Sequence, residues 1–409
     1  MTILRDRRIA ALLAAELVSS TGSQMTGLAL PWFVLVTTGS ASRMAWVVAT
    51  EIAAMGLVGI LSGPYATRLG ARRTLLVCDA LRAPLVAAIP LLHAAGALSF
   101  PVLLLLVFAF GSFATPSFSA QAAIVPEVVG TDPRRVGKAA ALFQGTNRTT
   151  ILLGPVIGGI LIGLIGATNV LYLDAASYLV SVTLVAAFVP STPRRPADAP
   201  GASDIWAGAR FMLGDPLFRG WALSMPLIEL CWQALFVSLP FLVYSEYDRD
   251  PHLLGLMFGA FGAGAVVGSV VVYKLLDHVA PLTIAIVGIV CQTLPLFALA
   301  LPAPAWVAVA ALFGSGFFNP VVNAAAGGIR ASRTPPELMQ QTAAFSITTS
   351  GICSPIGVLV AGPALVAFGA RPVLLGIVCV QACGVAAWAL AGVSARAAGL
   401  VPDTIEVAT

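Results

Sequence analysis

Long apolar segments recur along almost the whole chain, and few folds tolerate that pattern. Hydropathy, punctuated by Gly, Pro and charge, gives twelve segments. They lie at roughly 9–36, 43–66, 74–96, 98–124, 137–165, 168–190, 217–244, 252–276, 280–301, 304–329, 337–368 and 371–394. Each can cross a hydrocarbon core of about 30 Å as a helix, which takes about 20 residues. Only helices and closed barrels satisfy every backbone polar group in lipid, and segments of this length select helices. Composition agrees: 58% of the 409 residues are apolar and only 10% are charged, against about 25% charged in soluble domains. A soluble enzyme and a disordered chain are excluded. The net charge of +4 is too small and too unevenly placed for a nucleic-acid footprint, so no nucleic-acid partner is expected.

Cysteine and histidine narrow the chemistry. Cys78, Cys231, Cys291, Cys353, Cys379 and Cys383 all fall in apolar runs, and His93, His252 and His278 each stand alone. No zinc-type spacing occurs, so neither a disulfide scaffold nor a metal site is expected, and no cofactor or catalytic residue either. The N-terminal MTILRDRR precedes an apolar stretch that runs on to Val36 and carries Glu16 and Gln24. An uncleaved first span is expected there rather than a signal peptide.

Basic residues set the expected orientation. With the N-terminus inside, seventeen of the 22 Lys and Arg residues fall on the cytoplasmic side, and only Arg43, Arg249 and Arg371 on the other. Arg82 and Arg148 lie inside spans. Both termini are then cytoplasmic, in a multi-pass protein of a bacterial cytoplasmic membrane. The long polar connection, 191–216, has linker composition in PRRPADAPGASD and then a short amphipathic helix around DIWAGARFML. It divides residues 1–190 from 217–395, each with six spans, ahead of a cytoplasmic tail at 396–409.

The two halves echo each other. LPWFV (Leu30–Val34) in span one matches LPFLV (Leu239–Val243) in span seven. Span four reaches Pro116 and then Pro126–Glu127; span ten reaches Pro320 and then Pro336–Glu337. Gly154-Pro155-x-x-Gly158 in span five answers Ser354-Pro355-x-Gly357 in span eleven. All three pairs run in the same order, the mark of six helices duplicated in parallel orientation.

Two motifs carry a family resemblance. GPYATRLGARR (Gly63–Arg73) resembles the cytoplasmic signature of the major facilitator superfamily, with Gly63, Arg68, Gly70 and Arg72 in register and Thr67 where an acid is expected. TILLGPVIGG (Thr150–Gly159) resembles the family's antiporter motif through Gly154, Pro155, Gly158 and Gly159. Residues 40–185 look like the drug and siderophore exporter branch, of enterobactin- and macrolide-exporter type. The resemblance implies an all-α integral membrane protein of twelve helices in two pseudo-symmetric six-helix bundles. It also makes the Gly63–Arg73 turn a gating latch, either weakened by Thr67 or carried by Asp79 instead. Physically, the span-five glycines expose backbone to a neighbouring helix and Pro155 bends the span; a moving gate and a static close crossing both fit.

Ionisable residues inside spans are functional candidates, because a charge in lipid is costly. They are Glu16, Glu51, Asp79, Asp174 and Glu229, with Arg82 and Arg148. Glu229 lies roughly 16–18 Å into its span, near the midplane. Glu16, Ser20, Ser23 and Gly27 form a polar stripe with Gln24 beside it, and Glu229, Gln233 and Phe236 form another flanked by Trp232. Spans one, four, seven and ten line the cavity in the family. Asn319 and Asn323, behind Phe317 and Phe318, add to an amphipathic cavity for a largely apolar small molecule. Glu229, Glu16 and Glu51 are the proton-coupling candidates; for Glu229 the alternative is a neutral acid satisfied by Gln233. Arg148 either binds an anionic substrate group or forms a structural salt bridge, and Asp79 with Arg82 reads as a structural pair.

These features predict a monomeric secondary transporter in the lipid bilayer, a proton-coupled antiporter that exports small amphipathic molecules by alternating access. An importer or uncoupled facilitator on the same fold, and a non-transporting sensor, remain open. A nucleotide-driven pump lacks its phosphate-binding loop, and a channel lacks a filter sequence.

Overall fold

The computed structural model describes residues 6–129, 133–190, 205–335 and 338–397, and these are helical almost throughout. The helices are α1 (Arg7–Thr38), α2 (Ala41–Leu69), α3 (Ala71–Ala94), α4 (Phe100–Ser112), α5 (Ala114–Val129), α6 (Pro133–Ile165) and α7 (Ala167–Phe188). There follow α8 (Ile205–Gly214), α9 (Pro216–Glu246), α10 (Pro251–Leu275), α11 (Pro281–Thr293), α12 (Ala305–Arg333), α13 (Met339–Phe368) and α14 (Ala370–Ala397). Among the described residues, eleven helical stretches are long and apolar enough to cross a membrane. The 32-residue α1 is not one of them, because Glu16, Ser19, Ser20, Ser23 and Gln24 dilute its apolar run.

Prolines explain two departures from the expected spans. The segment at 98–124 is interrupted between α4 and α5, because Pro116 has no N–H to bond back to Ser112. The segment at 280–301 ends in a tighter 3-10 turn, Leu294–Ala300, which opens with Pro295 as its second residue.

The chain divides into two compact units, Met1–Ala199 with Asp250–Gly255, and Pro200–Arg249 with Leu256–Thr409. In the first, α1 packs mainly on α6 and α7, and α3 on α7 and α5. In the second, α9 packs mainly on α13 and α14, and α11 on α12 and α14. The leading helix of each unit thus takes the same two neighbours in chain order, as a duplicated unit requires. The turns agree: Gly166 before α7 and Gly369 before α14 have φ of 82° and 80°, a conformation that excludes most side chains.

One core of the first unit joins Leu12 and Ala15 of α1, Ala71 and Leu75 of α3, Ala120 and Ile124 of α5, and Val185 and Val189 at the end of α7. In the second, Trp221 of α9 stacks on Trp388 of α14 with ring centroids 4.5 Å apart. Asp215 caps α9 by accepting from the backbone N–H of Leu217 at 2.9 Å and Phe218 at 3.1 Å, ahead of Pro216 at the first helical position.

Candidate functional site

In the first unit the polar side chains of α1 meet those of α7. Glu16 is buried, and its Oε1 accepts from Ser20 Oγ at 2.6 Å. Its other oxygen is enclosed without a hydrogen-bond partner. One turn and more along, Ser23 Oγ lies 2.7 Å from Tyr178 Oη, and Thr26 Oγ1 donates to Asp174 Oδ2 at 2.6 Å. The stripe expected to face a cavity therefore turns partly into the unit, toward α7. Gln24 packs against α6. Glu51 is half-buried on α2 and lies within electrostatic reach of Arg82.

Asp79 and Arg82 do not form the expected pair. Asp79 accepts from Ser181 Oγ at 2.7 Å and Ser117 Oγ at 3.4 Å, while the Arg82 guanidinium lies over the rings of Phe110 and Tyr178. Their positions on one helix, three residues apart, bring both side chains to the same side, but the α5 and α7 hydroxyls and the two rings give each a separate partner. Asp79 sits more than two turns into α3, bonded to hydroxyls of α5 and α7.

Of the motif residues in register over Gly63–Arg73, Gly70 and Arg72 are described. Gly70 closes the α2–α3 turn with φ of 81°. Arg72 donates from Nε to the Val189 carbonyl at 2.5 Å and from Nη2 to the Ala186 carbonyl at 3.0 Å, satisfying the end of α7. The side chains of Gly63, Thr67, Arg68 and Arg148 lie outside the described residues.

The span-five glycines admit α1 closely. A Cβ on Gly154 would collide with the Gln24 side chain, and one on Gly158 would come 3.2 Å from Met25 Cα. Gly159 faces Gly255, in the short segment grouped with the first unit, where a Cβ would reach 2.8 Å from a backbone N. Pro155 is buried inside the same helix.

The second unit holds the other carboxylate. Gln233 Nε2 donates to Glu229 Oε1 at 3.0 Å on half-buried surface of α9. Beside them Trp232 and Phe236 join Phe258 and Phe261 of α10 in an aromatic cluster, with ring centroids 5.3 to 5.7 Å apart. On α12, Asn323 Nδ2 donates to the Asn319 carbonyl at 2.9 Å, with Phe317 and Phe318 edge to face at 5.0 Å. A separate cavity of about 460 Å³ between α9, α13 and α14 is aliphatic, lined by residues such as Leu230, Val360 and Ile377, and holds none of the expected site residues.

Sequence reasoning missed two arrangements. Counting residues from span ends puts Asp79, Arg82 and Asp174 near those ends and singles out no role for Tyr178, although the i, i+4 spacing of Asp174 and Tyr178 is a signal of a shared face. The α10–α12 crossing was missed outright: Gly264 and Gly268 leave no room for a side chain against the backbone of Phe313 and Phe317. Their small-x-x-x-small spacing was its signal.

Repeated helical units, apolar surfaces of membrane-spanning length and polar sites built inside them define a polytopic transporter. A sequence profile of the Major Facilitator Superfamily matches residues 12–358, and the chain belongs to that family. It is 24% identical over 388 residues to the multidrug efflux pump Tap of Mycobacterium tuberculosis (strain ATCC 25618 / H37Rv), covering 90% of this chain and 89% of the pump. It is 29% identical over 208 residues to the enterobactin exporter EntS of Salmonella typhimurium (strain LT2), covering 50% and 49% of the two chains. The nucleoside transporter NupG shares its fold, with a TM-score of 0.77 at 13% identity over 96% of this chain and 99% of that one. The protein is a transporter of the bilayer, not an enzyme.

Proposed function

We propose that the protein is a proton-coupled antiporter that exports small amphipathic organic molecules by alternating access of its two helical units. The observation that carries this is the Glu229–Gln233 hydrogen bond beside the Trp232, Phe236, Phe258 and Phe261 rings. Aromatic surface with a few polar groups suits an apolar cargo, and a carboxylate at its edge suits a cargo cation or a proton. Cargo and proton then compete at Glu229, with Glu16 and Glu51 as further proton-coupling candidates. Similarity to a multidrug efflux pump and an enterobactin exporter supports export and a small organic cargo.

On this reading the chain works as a monomer in a bacterial cytoplasmic membrane, with both termini in the cytoplasm. Residues 191–216 form the cytoplasmic linker between bundles 1–190 and 217–395. Everted membrane vesicles test direction. Energised vesicles carrying the protein accumulate ethidium above vector controls and release it on adding a protonophore; accumulation only in right-side-out vesicles overturns export.

A further inference from the structure

Arg82 poses an electrostatic problem that the Glu229 site leaves untouched. Its side chain is 8% exposed, and its guanidinium lies 4.5 Å from the Phe110 ring centroid and 4.4 Å from that of Tyr178. Among the described residues it makes no hydrogen bond or ion pair, and its Nε is enclosed without a partner. Cation–π contacts return about 2 kcal/mol or somewhat more when desolvated. Taking a guanidinium out of water costs several kcal/mol, so the site needs an anion.

Acids surround it. Asp79 of α3, Asp174 of α7 and Glu51 of α2 lie within its electrostatic reach, and Glu16 of α1 within that of Asp79. Tyr178 and Cys78 are the other titratable groups at hand. From α4 comes the Phe110 ring and from α5 the Ser117 hydroxyl; the side chains of Glu127 and Arg148, on α5 and α6, lie outside the described residues. One cation does not balance this many carboxylates, because neighbouring acids in a low dielectric do not all ionise. Protons make up the difference.

We propose that Asp79, Arg82 and Asp174 form a buried proton-binding site in the first unit. Asp79, held by the Ser181 and Ser117 hydroxyls, makes no ion pair with Arg82 but balances its charge at longer range, and Asp174 takes and releases the proton. On release the proton leaves as H⁺, the electron pair stays on the carboxylate, and the Arg82 guanidinium turns from the rings toward it. Asp174 is fully buried and held by Thr26 at 2.6 Å and Ser177 at 3.2 Å. A Cβ at Gly22 of α1 would overlap Asp174 and Ser177, so rearrangement at Asp174 displaces α1. The role of this movement in transport rests on the proton-coupled function proposed above; the protonation itself does not.

Infrared difference spectroscopy of the purified full-length protein tests the site without a cargo. At neutral pH the wild type shows the carbonyl stretch of a buried protonated carboxylic acid. Asp174→Asn, checked for a monodisperse, cooperatively melting protein, loses the component of that band that Asp174 contributes. Thr26→Val, which removes one hydrogen bond to the same group, shifts its frequency and serves if Asp174→Asn does not fold. Arg82→Met enlarges the band, since the anion it balanced then takes a proton. A wild type without the band, or a band that neither Asp174→Asn nor Thr26→Val alters, overturns the proposal. If the band behaves as stated while ethidium export ignores an imposed pH gradient, the site stands and the coupling falls.

Discussion

Asp215 and Arg333 form a 2.5 Å ion pair that ties the first residue before α9 to the last turn of α12. The same carboxylate caps α9, so one side chain fixes both the start of a helix and its neighbour. Burial by itself raises the Asp215 carboxyl, but Arg333 and the backbone N–H groups of Phe218 and Leu217 outweigh it and hold the group below 3.8. A folded value below the unfolded one gives stability that is complete above the unfolded value and lost as pH falls through the folded one. Asp215→Asn keeps a good cap and loses the charge, and at neutral pH it costs up to about 1 kcal/mol for a partly exposed pair. Thermal melts in detergent then show the full difference from wild type at neutral pH, and its loss only as the pH falls below the range in which a free carboxylate titrates. Asp215→Ala loses the cap as well, about 1 kcal/mol more.

Arg72 is a helix-end clamp as well as a basic residue of the α2–α3 turn. It donates to the Val189 and Ala186 carbonyls. Arg72→Ala lowers stability by about 1–3 kcal/mol. Arg72→Lys recovers only part of it, because an ammonium lacks the forked geometry. Chemical denaturation followed by Trp fluorescence measures both.

Two glycine substitutions separate close packing from helix propensity. Gly158→Val places branched carbon against Met25 and costs about 1–3 kcal/mol through overpacking. Gly27, with nothing within 4 Å of its Cβ position, accepts alanine with a gain of up to about 1 kcal/mol. Melting temperatures of the pair move in opposite directions.

Aromatic contacts around Phe236 hold the proposed cargo surface together. Each aromatic pair contributes about 0.5–1.5 kcal/mol beyond its area. Phe236→Leu, losing one such contact with an aromatic cargo, therefore raises the ethidium concentration for half-maximal transport by about two- to twelvefold, since 1.4 kcal/mol is tenfold. Initial-rate uptake measures it; an unchanged half-saturation places the cargo elsewhere.

Helix identity and the duplicated order were legible in the sequence because lipid imposes one strong rule, long apolar helices, and because LPWFV answers LPFLV and Gly154-Pro155 answers Ser354-Pro355 in the same order. Glu229 with Gln233 was legible too, since i, i+4 spacing on one helix fixes the neighbour. What was not legible lay between helices. Whether Asp79 meets Arg82 or Ser181 depends on how α3 turns toward α7, and spacing along α3 says nothing of that rotation. Depth counted from span ends likewise made Asp174 look peripheral, whereas enclosure by Thr26, Ser177 and Gly22 makes it fully buried. The break at Phe113 was available from Pro116, whose missing N–H outweighs the apolar run around it.

Gradient-driven transport by purified protein tests the central claim most directly. Proteoliposomes loaded with acidic buffer and diluted into neutral buffer accumulate ethidium, and a protonophore abolishes the accumulation. In Glu229→Gln, accumulation falls at least about tenfold, as loss of more than 1.4 kcal/mol of coupling requires, while downhill ethidium exchange persists. Accumulation that is indifferent to the gradient, or unchanged by Glu229→Gln, contradicts the account.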